Sequence, residues 1–261
     1  MTLQQITSAI EAVAPRELQE SYDNAGLQCG DPRLEVNSVL TCLDVTEQVI
    51  LEAHRRQCQL VVAHHPLLFR GVKCIDPTRD YISRTLLLAI RHGIAVYAAH
   101  TNLDRARGGI NDTLAAALGL TQVTPLSDCG VMGQLPVAMS ADGLLRHISR
   151  CLGDASLRYN REAADPSRQF RTLALCGGSG GEFIAEAESL HADAFLTGEI
   201  RYHDYFGHPS MLLVEAGHFE TEQIAPALLS AIIMQACPQV TCLTAECHQS
   251  PCGVFFPSSI G

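Results

Sequence analysis

Short apolar runs alternate with helical patterns along the first half of the chain. The runs rich in residues typical of buried strands are "SVLTCLDV" (38–45), "QLVVAHH" (59–65) and "IAVYAAHT" (94–101). Segments in which apolar residues recur three and four positions apart predict helices over 46–57, 78–93 and 108–120. This βαβαβα order favours a mostly parallel sheet with helices on its faces.

A second block of the same kind begins near residue 130. Its strand-like runs are "VMGQLPVAM", "FRTLALCGG" and "AFLTGE", separated by helical patterns. After it come a strand-like run over 210–218, the helical "ETEQIAPALLSAIIMQA" and a closing strand "QVTCLTAE". The two blocks share an element order without visible sequence repetition, so we expect an α/β protein with two units.

Composition places the chain among globular proteins. It has 261 residues, of which 47% are hydrophobic, enough for one large or two small domains. The start, "MTLQQITSAIEAVAPREL", reads as an amphipathic helix without the apolar core of a signal peptide, and no apolar run is long enough to span a membrane. Eleven cysteines without a CxxC motif predict reduced thiols. We therefore expect a soluble cytoplasmic protein.

The charge balance narrows the choice of partners. The net charge is −10 and Lys73 is the only lysine, a poor basis for neutralising nucleic-acid phosphates. The arginines could still form a local anion pocket, because guanidinium groups suit bidentate phosphate contacts. This composition is compatible with a small phosphorylated substrate.

Histidine and aspartate follow three of the predicted strands. His64 and His65 come directly after the first of them, His100 and Asp104 follow the next in "AAHTNLD", and His218 follows a third in "VEAGHFETE". In open α/β sheets, ligands bind at the carboxyl ends of strands. Three strand ends that deliver such residues to one edge predict a metal site there.

The third of these segments adds a spacing that suits metal binding. His218 and Glu222 are four residues apart at the start of a predicted helix, so they share one helical face. Glu222 has two oxygens and could bridge two ions. A mixed nitrogen and oxygen set suits zinc, manganese, iron, cobalt or nickel without choosing among them. We interpret five other histidines as turn or core residues: His54, His92, His147, His191 and His248.

Three other segments allow two interpretations each. The loop "CGGSGGEF" (176–183) either cradles an anion or forms a tight turn that needs glycine, and we favour the turn. "LTGEIRYHDYFG" places Glu199, His203 and Asp204 after a strand, either facing the same cleft or in a solvated loop. The tail "AECHQSPCG" lacks a fourth ligand for a zinc knuckle, which favours ordinary thiols.

Six motifs in order along the chain resemble the NIF3-like family, whose members carry the name GTP cyclohydrolase 1 type 2 homologue. They are "YDNAGLQCG", "VVAHHPLLFRG", "YAAHTNLDRARGGIND", "CGGSGG", "TGEIRYHD" and "GHFETE". They run from residue 22 to 222 and so cover nearly the whole chain. Tyr22 departs from the tryptophan common in the family, and the tail "ECHQSPCG" matches the family pattern poorly.

The resemblance implies a fold, an assembly and a metal centre. It implies two three-layer α/β domains, the second (129–210) inserted into the first (1–128 and 211–261). It also implies toroidal homohexamers built as trimers of dimers, with two divalent metal ions per subunit in the cleft between the domains. The ligands carried over by motif are His64, His65, Asp104, His218 and Glu222, and His100 would orient them.

The working hypothesis is a metal-dependent hydrolase that acts on a small substrate such as a nucleotide. A two-metal site activates water and stabilises the oxygens of the reaction centre, and Glu199 or His203 would move protons. One alternative is a metal-binding ring protein without turnover, serving as a metal chaperone, scaffold or regulator. Another is a DNA-handling toroid, against which the net charge of −10 argues.

Overall fold

The computed structural model describes residues 1–126 and 128–255, and the strands in this part of the chain form two sheets. The first sheet has the order β1-β4-β3-β2-β11. Its strands are β1 (Gly26–Cys29), β2 (Ser38–Cys42), β3 (Leu60–Ala63), β4 (Ala95–Ala98) and β11 (Thr241–Thr244). All pairs are parallel except β1 with β4. The expected mostly parallel sheet is therefore confirmed.

The second sheet has the order β5-β6-β8-β9-β10-β7 and is mixed. Its strands are β5 (Thr121–Pro125), β6 (Val131–Met139), β7 (Arg158–Tyr159), β8 (Phe170–Cys176), β9 (Ala194–Thr197) and β10 (Leu212–Glu215). The pairs β8–β9 and β9–β10 are parallel, so their carboxyl ends share one edge.

Helices cover both faces of each sheet. They are α1 (Leu3–Val13), α2 (Glu47–Arg55), α3 (Tyr81–Arg91), α4 (Thr101–Arg105), α5 (Ile110–Ala117), α6 (Ala141–Cys151), α7 (Ile184–Ser189), α8 (His218–Glu222) and α9 (Ala225–Ala236). On the first sheet, apolar residues of α1 and α9 pack on one face and those of α2 and α3 on the other. On the second, α5 and α6 pack on one face and α7 on the other. Both units thus have three layers.

Strand pairing also indicates which residues belong to each of the two units. β10 pairs with β9, and β5 pairs with β6, so residues 212–215 and 121–125 belong to the second sheet. The expected insertion at 129–210 leaves both strands out, because chain order alone does not reveal which sheet a strand joins. The division into two domains stays a proposal, and sheet membership moves its boundaries to about 121 and 215.

Among the described residues, no helix combines the length and the apolar character that a membrane span requires.

Candidate metal centre

His64 and His65 leave β3 at the edge where the parallel strands end. The ladder continues past the strand, because the His64 and His65 amides donate to the carbonyls of Cys42 and Leu43 at 3.2 and 2.9 Å. The His64 side chain is completely buried, whereas that of His65 is partly exposed. The backbone therefore fixes both rings at the sheet edge.

Asp104 reaches the same point from the neighbouring strand. β4 ends at Ala98, and α4 begins just after His100, whose carbonyl accepts the Asp104 amide at 3.1 Å. One turn into this helix, Asp104 Oδ1 lies 3.5 Å from His64 Nε2. Burial raises the pKa of Asp104 to about 6, although the neighbouring histidines oppose this shift.

The short helix α8 brings Glu222 into the centre of the cluster. It begins after Gly217, at φ 93°, and places His218 and Glu222 one turn apart. Glu222 Oε2 lies 2.9 Å from His65 Nε2 and 3.1 Å from His218 Nε2, while Oε1 lies 3.8 Å from His64 Nε2. The two oxygens of one carboxylate thus face different histidines.

The four histidines of the cluster share one orientation. Each ring has an oxygen acceptor at Nδ1, which leaves Nε2 to face the interior of the site. The pairs are His64 with the Ala99 carbonyl at 2.8 Å, His65 with Asp44 at 2.8 Å, His100 with Asp23 at 2.7 Å and His218 with Glu199 at 2.9 Å.

Without a metal, protons balance the charge of the cluster. The hydrogen bond with Glu222 raises the pKa of His218 to about 9. Burial lowers the pKa of His65, but hydrogen bonds with Asp44 and Glu222 outweigh it and raise that pKa to about 10. The pKa of Glu222 stays well below its ordinary value despite burial, because three histidines surround it. The interior is thus a place where cations are stabilised.

His64 Nε2 shows that the residues fit a metal ion. The Ala99 carbonyl can only accept, so Nδ1 carries the ring proton in the neutral imidazole and Nε2 presents a lone pair. Nε2 is buried without a hydrogen-bond partner and faces the oxygens of Asp104 and Glu222. With His64 neutral, three acceptors around one point lack a donor, and a divalent cation would supply positive charge there.

Ligand atoms within 4.8 Å of one another form three overlapping groups. One holds His65, His218 and Glu222, and another holds His64, Asp104 and Glu222. Glu222 belongs to both, and a third group joins His100 to His64 and His65. The structure thus brings together all five residues expected as ligands, with His100 beside them.

The glycine loop after β8 makes room for Glu222, and side chains of the protein accept from three of its amides. The amides of Gly177, Gly178 and Gly180 donate to the side chains of Asn111, Thr221 and Thr197. Gly178 has φ 62°, and a Cβ there would collide with Glu222 Oε1. The interpretation of this loop as a tight, closely packed turn is confirmed.

The two residues expected to move protons occupy different places. Glu199 is 58% exposed at the mouth of the site, where its carboxylate accepts from His218. His203 lies in a 3₁₀ turn with exposed aromatic neighbours, Tyr202 and Phe206, and is absent from the lining of both cavities that border the cluster. The structure brings Glu199 to the histidines and leaves His203 on the surface.

A cavity of about 430 Å³ opens above the cluster. Its floor includes His65, Asp104 and Glu222, and the Tyr22 and Phe69 rings stand edge to face in its wall at 6.3 Å. Its one arginine, Arg105, forms ion pairs with Glu20 and Asp128 at 3.2 and 3.3 Å. The arginine-rich anion pocket allowed by the sequence is therefore not formed by the residues that line this cavity.

Asp44 and Asp23 are polar residues of the site whose role the sequence patterns did not reveal. The sequence pattern includes Asp44 in the predicted strand 38–45. In the structure the strand ends at Cys42, so Asp44 follows a strand end as the other residues of the site do, and this position was the signal that could have found it. Asp23 accepts from His100 and from Thr101, and these bonds outweigh burial and lower its pKa to about 2.

The model of the Duf34/NIF3 (NGG1p interacting factor 3) family matches residues 1–251. The chain belongs to the Duf34/NIF3 family. Members named GTP cyclohydrolase 1 type 2 homolog include one from Clostridium perfringens, 35% identical over 232 residues, which cover 85% of this chain and 87% of that protein. One from Clostridium acetobutylicum is 32% identical over 243 residues, or 88% of each.

Solved structures of the Duf34/NIF3 family share the fold. A Bacillus cereus protein related to NIF3 superimposes with a TM-score of 0.91 at 22% identity, covering 98% of this chain and 99% of that one. The α/β fold with two sheets, as expected from the motifs, is thereby confirmed.

Proposed function

We propose that this Duf34/NIF3 protein is a dinuclear-metal-dependent hydrolase of a small substrate such as a nucleotide. The observation that carries the proposal is the sharing of Glu222 between two sets of ligand atoms. Its Oε2 faces His65 and His218, and its Oε1 faces His64 beside Asp104. A carboxylate placed in this way could contribute a ligand to each of two divalent ions.

The contacts divide the candidate ligands between two metal positions. His65 and His218 would hold one ion, His64 and Asp104 would hold the other, and Glu222 would bind both. Divalent ions bound there would supply Lewis-acid chemistry and lower the pKa of water. The donor set admits zinc, manganese, iron, cobalt or nickel. Asp44, Asp23 and Glu199 would keep the Nε2 atoms aimed at the ions by accepting from the Nδ1 atoms.

The cavity above the cluster suits a small, flat substrate. Its volume of about 430 Å³ lies within the range of small-molecule sites. The Tyr22 and Phe69 rings offer a surface on which a nucleobase-like ring would pack. Because Arg105 is already paired, negative charge on the substrate would be stabilised at the metal end of the cavity.

Glu199 is the residue we propose for proton movement at the mouth of the site. Its carboxylate combines solvent exposure with a 2.9 Å contact to His218 Nδ1, so it can exchange protons with water and with the imidazole. We assign no such role to His203, which lies away from the cluster.

The family resemblance also implies a homohexamer, which light scattering of the purified protein would test.

The proposal is tested by stripping the untagged protein with a chelator and reloading it with single metals. Each form is screened against nucleobases, nucleosides, nucleotides including GTP, and phosphoesters. We expect turnover to require metal and to be lost in Glu222→Gln but retained in Glu220→Gln, which changes an acidic residue on the same helix. Turnover by the metal-free protein would contradict the mechanism. Metal binding without any turnover would instead indicate a metal-binding ring protein.

A further inference from the structure

Two cysteine thiols face each other in the wall of the cavity above the cluster. Cys129 lies in the turn between β5 and β6, and Cys176 is the last residue of β8. Their Sγ atoms are 3.7 Å apart, and both residues line the cavity together with His65 and Asp104. In the described part of the chain, they are the only two cysteines hydrogen-bonded to each other.

The sheet register fixes this pair. β6 and β8 are antiparallel with Val131 opposite Leu175, so the chain before Val131 runs alongside Cys176. Gly130, at φ 86°, allows the two backbones to approach, since a Cβ there would meet the Leu175 carbonyl and the Cys176 Cβ. The backbone therefore places the two cysteines side by side.

We propose that Cys129 and Cys176 form a reversible disulfide when the protein meets a hydroperoxide, and that this bond weakens the adjacent metal site. A disulfide needs an S–S distance of about 2.05 Å. The sulfurs must therefore approach by about 1.7 Å. Cys129 is partly exposed in a turn and can move, whereas Cys176 is buried in the sheet.

The reaction begins at the more accessible sulfur. The Cys129 thiolate attacks one peroxide oxygen, the O–O bond breaks, and the other oxygen leaves as an alcohol or water after taking up a proton. The Cys176 sulfur then attacks the Cys129 sulfenic acid, loses its proton and releases water as the S–S bond forms. In total the two thiols lose two electrons and two protons to the peroxide. The hydrogen bond with Cys129, together with burial, raises the pKa of the Cys176 thiol, which favours Cys129 as the first to react.

Asn111 connects the pair to the metal cluster, a link that rests on the proposed metal site. Its Nδ2 lies 3.5 Å from the Cys129 sulfur and donates to the Asp104 carbonyl at 3.0 Å. Its Oδ1 accepts the Gly177 amide at 2.9 Å, in the loop that makes room for Glu222. We expect closing of the S–S bond to draw the Cys129 sulfur away from Asn111. Because Asn111 contacts both the Asp104 carbonyl and the Gly177 amide, loss of this contact would disturb the support of the metal cluster.

The disulfide is tested on the full-length protein, both metal-loaded and metal-stripped, by treatment with hydrogen peroxide, alkylation, digestion and mass spectrometry. We expect a peptide that joins Cys129 to Cys176, removed by dithiothreitol and absent in Cys129→Ser. Cys151→Ser is the matched control, because that thiol is also partly exposed and should leave the cross-link intact. Oxidation of Cys129 to sulfinic acid, or its alkylation, without a link to Cys176 would overturn the proposal.

The coupling is tested by the rate at which a chelator removes metal. After oxidation we expect removal to be about tenfold faster in the wild type, reversed by dithiothreitol and unchanged in Cys129→Ser. An unchanged rate in cross-linked protein would overturn the coupling. A protein that cross-links but never binds metal would overturn the coupling and the proposed metal site while supporting the disulfide.

Discussion

Two groups of polar residues follow strand ends in this molecule, and only one forms a cluster. The group at the edge of the first sheet joins β3, β4 and α8, and its ligand atoms fall into three overlapping sets, each with its atoms within 4.8 Å of one another. The group after β9, residues 199–204, comes from one segment and lies mostly on the surface. Only Glu199 reaches the cluster, through His218.

The difference teaches that a strand end places a residue at an edge but does not bury it. The cluster is buried because several elements meet there. Glu222 of α8 packs against the ends of two strands, and the glycine loop leaves space for its carboxylate. Each element satisfies many polar atoms of another, which lowers the cost of burying charge. Residues 199–204 meet other elements mainly through Glu199 and the Ile200 amide, and the rest of the segment has no such partners in the described part of the chain.

The largest expected effect comes from removing the shared carboxylate. Glu222→Gln keeps the size of the side chain but removes the charge that both ions would share. We expect metal affinity to fall by on the order of 100-fold or more, measured by calorimetric titration with zinc or manganese. Glu220→Gln should bind as the wild type does. Equal metal affinity in Glu222→Gln and Glu220→Gln would show that the Glu222 carboxylate has no role in metal binding.

The packing behind Glu222 should matter nearly as much. Gly178→Ala adds a Cβ at φ 62° that would collide with the Glu222 carboxylate, so we expect metal affinity to fall by about tenfold. Gly119→Ala is the matched control, because it has φ 71° but open space around it. Both should lose about 1 kcal/mol of stability to the strained backbone, measured by urea unfolding, but only the first should lose metal. Metal loss in both variants would attribute the effect to strain.

The carboxylates that hold the histidine rings should contribute less. Asp44→Asn weakens the acceptor at His65 Nδ1, and we expect metal affinity to fall by about tenfold. Asp142→Asn, an exposed acidic residue on α6, should have no effect. If both variants bind equally well, the ring orientation does not depend on the carboxylate.

In the metal-free protein, the cluster should make stability depend on alkaline pH. The pKa of His65 is about 10 in the folded protein and near 6.5 in the unfolded chain. Protonated His65 therefore contributes fully to the free energy of unfolding below about pH 6.5, and this contribution is lost as the pH rises through about 10. After allowance for solvent screening we expect a loss of about 2 kcal/mol, seen in urea unfolding between about pH 6 and pH 10. His65→Asn should flatten this dependence. A wild-type curve that is already flat would contradict the charge balance described here.

The smallest effects should come from the exposed group. Glu199→Gln should lower metal affinity by only a few-fold, because its bond to His218 is open to solvent. His203→Ala should leave metal binding unchanged. A larger loss in His203→Ala than in Glu199→Gln, measured by the same titration, would reverse the comparison between the two groups.

The residues of the cluster could be predicted from the sequence because two simple periodicities place them. Parallel strands end at one edge, which gives His64, His65 and Asp104, and a four-residue spacing on a helix gives His218 with Glu222. Their roles as ligands stay predictions. Element order predicted two units, and the family motifs added that the second is inserted into the first, which stays a prediction.

Other features depend on contacts between segments far apart in the chain. Asp23 meets His100 across 77 residues, and no local pattern reveals such a pair. The collision that keeps position 178 a glycine depends on Glu222, which arrives from another element. The same limit explains the shifted domain boundaries, because strand pairing decided the sheet to which residues 212–215 belong.

The central claim is that Glu222 joins two metal positions in one cluster. Elemental mass spectrometry of the untagged protein, reloaded with a single divalent metal and freed of excess, measures this directly. We predict about two ions per chain in the wild type and in Glu220→Gln, and a loss of both in Glu222→Gln. No retained metal in the wild type after reloading with zinc, manganese, iron, cobalt or nickel would contradict the account.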